Sequence, residues 1–280
     1  MFLVSVFAGL IGSLVGIGGG ILIVPVLTLL YGVPIEYAIG ASIVSVIATS
    51  SGAASAYVKD KITNLRVGMF LEIATTTGAI VGAVTTIFLI RSALSWVVYV
   101  VFGSVLLYSS YNLYKKSRME KKFSKSDINE TSNSLGDKLK LKGEYYDTVL
   151  KEQIKYEATN VPSGLSVMFC AGLVSGLLGI GSGALKVLGM DTLMKLPFKV
   201  STTTSNFMIG VTAAASTGIF YIGGFVNPVL AGPVAIGVVL GSYIGTKMLI
   251  RSRPSSLRLV FIVVLLALGA EMLQRGISIR

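Results

Sequence analysis

A chain that repeats itself must fold each half in the same way, and this one repeats at a fixed spacing. Ala8-Gly9-Leu10 recurs as Ala171-Gly172-Leu173, an offset of 171 − 8 = 163, and that register holds without a gap from Ala8 to Gly82. It pairs Gly16 with Gly179, Gly18 with Gly181, Gly20 with Gly183, Pro34 with Pro197, Ser42 with Ser205, Thr49 with Thr212, Asn64 with Asn227, Gly78 with Gly241 and Gly82 with Gly245. Self-similarity of this kind marks one structural unit used twice.

The unit is built of apolar segments. In the first copy they run roughly over 2–30, 38–58, 67–90 and 94–114, and in the second over 163–190, 200–222, 228–250 and 256–274. Each is long enough to cross about 30 Å of hydrocarbon at about 1.5 Å per helical residue. A charged fraction of 13% beside 53% hydrophobic residues is far below the roughly 25% charge of a soluble domain. The chain therefore reads as an all-α membrane protein. Its first apolar stretch lacks a basic leader and is longer than a signal h-region, so it is expected to remain in the mature chain.

The same composition excludes much chemistry. Without a histidine and with Cys170 as the one cysteine, neither a Cys/His metal site nor a Ser-His or Cys-His dyad can be assembled. No enzyme activity, metal or cofactor is expected, and Cys170 reads as a buried structural thiol. The net charge of +11 is the kind that membrane proteins carry in loops, so a nucleic-acid partner is not expected.

Within the first segment of each unit lies a glycine run, Gly16-Ile17-Gly18-Gly19-Gly20 and Gly179-Ile180-Gly181-Ser182-Gly183. Glycine costs about 1 kcal/mol per residue inside a helix relative to Ala. The run is either a close helix crossing, where small residues let backbones approach, or a break that turns the segment back near the midplane, as at transporter binding sites. Loop charges separate these readings, because Lys and Arg in short loops concentrate on the cytoplasmic side. With four crossings per unit, the basic residues outside the linker split 5 to 8, with the larger group opposite the basic linker. With a re-entrant first segment they split 10 to 3, leaving Arg91, Arg275 and Arg280 opposite the linker. An odd number of crossings inverts the second unit. The expected fold is two inverted repeats, each a glycine-broken segment plus three transmembrane helices: 1–114, a polar cytoplasmic linker over 115–161, and 162–280.

The linker opens with Lys115-Lys116-Ser117-Arg118 and closes with alternating stretches, Lys138 to Lys142 and Ile154 to Thr159, around Gly143 to Asp147. Period-2 alternation fits a small hairpin; an amphipathic surface helix is the alternative.

The candidate site gathers around the breaks. A lysine at membrane depth is costly without a partner, so Lys186 is expected either to meet an anionic substrate or to snorkel or pair with Asp191. Glu72 reads either as a proton-coupling carboxylate or as a helix-start glutamate near Lys61 and Arg66, stabilised by the helix dipole. Neither charge is repeated, since Ile23 and Ala235 occupy the matching positions. Hydroxyls crowd the second segments, Ser42 to Ser51 and Thr202 to Thr212. Uncharged donors can hold an oxyanion and release it, and broken-helix ends add backbone N–H groups; interhelical bonding is the bland reading. The expected substrate-binding set is Gly16, Gly18, Gly19, Gly20, Ser42, Gly179, Gly181, Ser182, Gly183, Lys186, Ser205 and Asn206, with Glu72, Thr49 and Thr212 as coupling candidates.

At these residues the chain resembles the TauE/SafE family of sulfite-exporter-like permeases. The matching stretches are the first glycine run with Val24-Pro25, Gly32-Val33-Pro34 and Ala38-Ile39-Gly40-Ala41-Ser42. In the second half they are Gly179 to Gly183, Leu196-Pro197-Phe198-Lys199 and Thr204-Ser205-Asn206-Phe207. Ser182 and Leu188 depart from the pattern, where glycine and a repeated proline would stand. The resemblance implies movement of small sulfur oxyanions or organosulfonates, usually coupled to an ion gradient. The expected function is secondary transport of such anions by alternating access, coupled to H+ or Na+, in the plasma membrane. A passive anion channel of the same fold and a membrane scaffold acting through the linker are the alternatives.

Overall fold

The structure is a computed structural model, and it describes residues 1–15, 18–59, 62–119, 139, 141–147, 152–251 and 255–279. Gly16, Lys61, Arg253, Arg280 and the linker from 120 to 138 lie outside the described residues. The first unit comprises α1 (Phe2–Val15), α2 (Gly20–Pro25) running into a π-helical turn (Val26–Leu30), α3 (Ile35–Lys59), α4 (Leu65–Arg91) and α5 (Ser95–Met119). A two-stranded hairpin, β1 (Lys142–Asp147) and β2 (Glu152–Glu157), follows. The second unit comprises α6 (Val161–Leu178), α7 (Gly183–Leu188) with its π-helical turn (Gly189–Leu193), α8 (Phe198–Ile222), α9 (Pro228–Arg251) and α10 (Ser255–Ile279).

The 163-residue register recurs in the elements themselves. Adding it to the bounds of α2, its π turn and α3 gives the bounds of α7, its π turn and α8. Glycine cost and local sequence thus break both units at the same place. Gly18 and Gly181 hold the turn at φ +81° and +77°, a backbone region that only glycine enters without strain. Gly20 and Gly183 then open the short return helices.

Each broken segment folds back until its two ends touch. In the first unit the Met1 ammonium donates to the Tyr31 hydroxyl at 2.9 Å. In the second the Thr159 N–H donates to the Met194 carbonyl at 3.1 Å, and Asn160 Nδ2 donates to Leu193 O at 3.4 Å. The arms are unequal, 18 residues in α6 against 11 from Gly183 to Leu193.

Among the described residues six helices are long and apolar enough to cross a membrane: α3, α4, α6, α8, α9 and α10, over Ile35–Gly52, Leu65–Arg91, Val161–Leu178, Phe198–Ile222, Pro228–Met248 and Ile262–Ile279. The pre-break arm α6 is among them at 18 residues, and Phe2–Ser13, Gly20–Leu30 and Ser95–Tyr111 are shorter apolar stretches among the described residues.

The helices pack across units. α1 lies against α9 and α6 against α4, while α5 pairs with α10 and α3 with α8. Glycine sets the separation. A Cβ at Gly172 would sit 2.0 Å from the Thr75 carbonyl oxygen, and one at Gly9 would sit 2.3 Å from that of Val238. Gly78 faces Phe169 O and Gly241 faces Val6 O, while Gly82 faces Leu173 O and Gly245 faces Leu10 O. Each pair of contacts is related by the same offset. Such close approach is how helices associate where lipid removes the hydrophobic drive between them. Cys170 is exposed rather than buried, because Ala171 and Gly172 are the residues of that turn that face inward.

The linker forms the hairpin rather than a surface helix, with Gly143 to Asp147 inside β1 instead of at the turn. Lys142 pairs with Glu157, Glu144 with Lys155 and Tyr145 with Ile154, antiparallel. Leu141 and Ala158 are buried in a cluster with Val67 and Leu71 of α4, Val161 and Met168 of α6, and Met194. Asn64, whose side chain caps α4 by accepting from the Val67 N–H, donates to the Tyr156 hydroxyl at 3.1 Å. Burial pushes the Tyr156 phenol above its ordinary value, against a smaller opposite pull from that bond, so the hydroxyl stays neutral.

Candidate functional site

The two breaks meet. A Cβ on Gly20 would come within 3.3 Å of Ile180 Cα, and one on Gly18 within 3.9 Å of the Ile180 carbonyl oxygen. Ser42 of α3 ties them together: its hydroxyl lies 3.1 Å from Gly20 O and 2.8 Å from Gly179 O, one proton shared between a carbonyl of each break. Ser205, its repeat mate on α8, donates to Gly183 O at 3.3 Å. The residues around the turns leave no room for larger side chains. Cβ atoms on Gly20 and Gly181 would lie 2.5 Å from Val46 Cγ2 and 2.4 Å from Ile209 Cγ2, and Val46 and Ile209 are again repeat mates.

The other nominated hydroxyls and the amide also serve the backbone here. Asn206 Nδ2 donates to Ser13 O at 3.3 Å, and its own carbonyl accepts from the Ser50 hydroxyl at 2.5 Å. Thr49 donates to Ser45 O at 2.8 Å and stands 3.2 Å from where a Cβ on Gly19 would be. Ser182 is different. It adopts φ +46°, is buried, and its hydroxyl has no hydrogen-bond partner among the described residues. A buried polar group left unsatisfied costs about 1–3 kcal/mol, so the Ser182 hydroxyl is a standing cost at the second break.

One helical turn beyond Ser182 lies Lys186, its N–H bonded to the Ser182 carbonyl. Its side chain is fully buried. It neither snorkels nor reaches Asp191; its Nζ lies 3.7 Å from Glu72 Oε2 and donates to the Thr212 hydroxyl. Glu72 is not a helix-start residue. It is the eighth residue of α4, it is buried, and it faces Lys186; Lys61 lies outside the described residues. Its Oε1 accepts from Thr76 at 3.1 Å and from Thr212, whereas Oε2 has no hydrogen bond. The elements that assemble this triad come from both units: α4 supplies Glu72, and α7 and α8 supply Lys186 and Thr212.

Sequence reading named all three residues separately and missed that they are partners. The signal was there: Glu72 and Lys186 are both one-sided departures from the repeat, opposite in sign, at membrane depth. Two such charges are expensive apart and tolerable together. Gly16 lies outside the described residues; Gly18 and Gly20 abut Ile180 of the other break, whereas Gly19 abuts Thr49 and Ala8 of its own unit.

Long apolar helices, segments that fold back at glycine turns and a buried charge pair between the units fit a multi-pass membrane protein. Comparison with known proteins agrees. The chain belongs to the sulfite exporter TauE/SafE family, whose model matches residues 1–272. A Bacillus subtilis (strain 168) protein named Probable membrane transporter protein YunE is 28% identical over 287 residues, covering 99% of this chain and 97% of its own length. A second from the same organism, Probable membrane transporter protein YdhB, is 26% identical over 248 residues, covering 88% of this chain and 86% of its own. No solved structure matches the chain.

Proposed function

We propose that this protein is a secondary transporter of small sulfur-containing anions, such as sulfite, thiosulfate or an organosulfonate, working by alternating access under an ion gradient. The observation that carries the reading is the junction of the two breaks, where Ser42 shares its proton between Gly20 O and Gly179 O. A site built at the contact of two folded-back segments can be exposed to either side when one repeat rocks against the other. Gly18, Gly19, Gly20, Gly181, Ser182 and Gly183 form its walls, and Lys186 supplies its cation.

Inverted repeats are part of the proposal. The start of α3 lies against the turn after α8, with Gly40 on Phe225, and the start of α8 lies against the turn before α4, where the Asn64 N–H donates to Thr204 Oγ1. That exchange supports a two-fold relation between the units, and the proposal places the linker on the cytoplasmic side of the plasma membrane because its basic residues would face inward there. A Cys170→Ala background carrying Leu139→Cys or Val229→Cys tests it, since the two thiols should label from opposite sides. Labelling of both from the cytoplasm would refute the inversion.

Proteoliposomes loaded with sulfite, thiosulfate or methanesulfonate test the function. Saturable flux that responds to an imposed gradient is the expected result, and Gly181→Leu should abolish it. Absence of flux for every such anion sinks the reading, and unsaturable flux indifferent to the gradient would make the protein a channel.

A further inference from the structure

The triad of Glu72, Lys186 and Thr212 has a property that the glycine junction lacks: its charges cancel, and only within the pair. We propose that it is a proton–anion co-binding site, in which Glu72 takes up the coupling proton and a monovalent sulfur oxyanion then exchanges for the carboxylate as the partner of Lys186. The proposal rests on the transport reading above and deepens it by naming the coupling ion and the charge of the substrate.

The carboxylate is prepared for a proton at one oxygen. Oε1 is occupied by the hydroxyls of Thr76 and Thr212. Oε2 is buried, has no hydrogen bond, and faces Lys186 Nζ at 3.7 Å, farther than a charge-assisted hydrogen bond of about 2.7–2.9 Å. A proton arriving at Oε2 forms an O–H bond and neutralises Glu72. Lys186, fully buried, then has no counter-charge, a state the membrane interior penalises heavily. An anion entering beside Nζ restores neutrality. By reciprocity the anion favours the proton as much as the proton favours the anion.

The site before the event holds one negative and one positive charge, and afterwards a neutral acid, an ammonium and an anion. The totals match when the anion carries one charge. A sulfonate or hydrogensulfite fits that balance, and a dianion leaves one charge uncompensated. Ser182, one turn away on the same helix with its hydroxyl unpartnered, gives an oxyanion a second donor.

Other titratable groups do not substitute for the pair. On α4 itself Arg66 and Arg91 sit at the two ends; α6 offers Cys170 on an exposed face. The π turn carries Asp191, α8 carries Lys199 and Tyr221 near its ends, and α5 carries Tyr99 to Tyr114 with Lys115, Lys116 and Arg118 at its C-terminus. The hairpin's Lys142, Glu144, Lys155 and Glu157 are exposed. Glu72 forms its ion pair with Lys186.

Methanesulfonate, a monoanion throughout the range from about pH 5 to pH 8 and so free of titration of its own, is the probe. Purified full-length protein should bind it more tightly as pH falls, by up to about tenfold per pH unit when one proton is taken up with each anion. Glu72→Gln, a neutral mimic of the protonated acid, should bind it tightly with a flat pH profile and lose accumulation driven by a pH gradient while retaining exchange. In liposomes, uptake by the natural sequence should follow the pH gradient and ignore a valinomycin-set potential. Glu72→Gln/Lys186→Met, with both charges removed, should elute and melt like the natural sequence and bind no methanesulfonate. A flat profile in the natural sequence, the natural profile in Glu72→Gln, uptake that follows the potential, or binding by the double variant each overturns the exchange. Flux without pH dependence would do so while leaving anion transport intact, whereas no binding or flux of any tested anion sinks both.

Discussion

The two glycine-broken segments share one arrangement of elements and differ at the turn and in chemistry, Gly19 being right-handed at φ −65° where its repeat mate Ser182 is left-handed at φ +46°. α2 and α7, their π turns and the helices that follow coincide under the 163-residue offset, and Ser42 and Ser205 bond the matching carbonyls Gly20 O and Gly183 O. Yet the second break carries Ser182, Lys186 and its partner Glu72, where the first has Gly19, Ile23 and Ala235. Ile23 is buried in the apolar core. The repeat thus supplies a symmetric frame, and charge stands on one side of it. The lesson is that symmetry here describes support, and departure from symmetry marks the chemistry.

The strongest way to break the comparison is to charge the silent side. Ile23→Lys buries an ammonium with no carboxylate opposite and should cost about 3–5 kcal/mol, the scale of an uncompensated buried charge; thermal unfolding in detergent reads it. Adding Ala235→Glu should recover part of that loss if the two sites are equivalent in geometry, and no recovery would show that the symmetry stops at the backbone. Lys186→Met strands the Glu72 carboxylate and should cost nearly as much, up to about 3–5 kcal/mol, with Glu72→Gln in the same chain restoring most of it. A double variant no more stable than Lys186→Met would mean that the pair is not coupled in the folded protein.

Smaller effects sharpen the comparison. Ser42→Ala frees a carbonyl in each break and should cost about 1–3 kcal/mol in thermal unfolding; an unchanged melt would contradict its bridging role. Tyr156→Phe removes the partner of Asn64 and should lower stability by about 1 kcal/mol or less, visible as faster proteolysis of the hairpin with anion binding unchanged.

Much of this was legible beforehand because repeats, apolar length and glycine cost are local properties. The offset located α8 from α3, and the interrupted segments located both turns. Loop charge suggested that the broken segments return to the side they start from, and the contacts of Thr159 with Met194 and Met1 with Tyr31 match that. Cys170 was misread, and the two readings of Glu72 stayed open, for one reason. Which face of a helix turns inward depends on its neighbours, and the hydrophobic surroundings of a membrane chain leave little amphipathic pattern to reveal it. The hydroxyls Ser42, Ser205 and Asn206 were rightly placed beside the breaks, but their bonding to backbone carbonyls rather than open space needed coordinates.

The sequence by itself determined a duplicated, helical membrane chain interrupted at two glycine runs, since each follows from composition and spacing along the chain. Tertiary structure alone decided that the runs touch, that Ser42 joins them, and that Glu72 of one unit answers Lys186 of the other. The physical reason is distance: Glu72 and Lys186 lie 114 residues apart in the chain (186 − 72) and 3.7 Å apart in space. Only the packing of α4 against the second unit converts two costly isolated charges into one neutral pair.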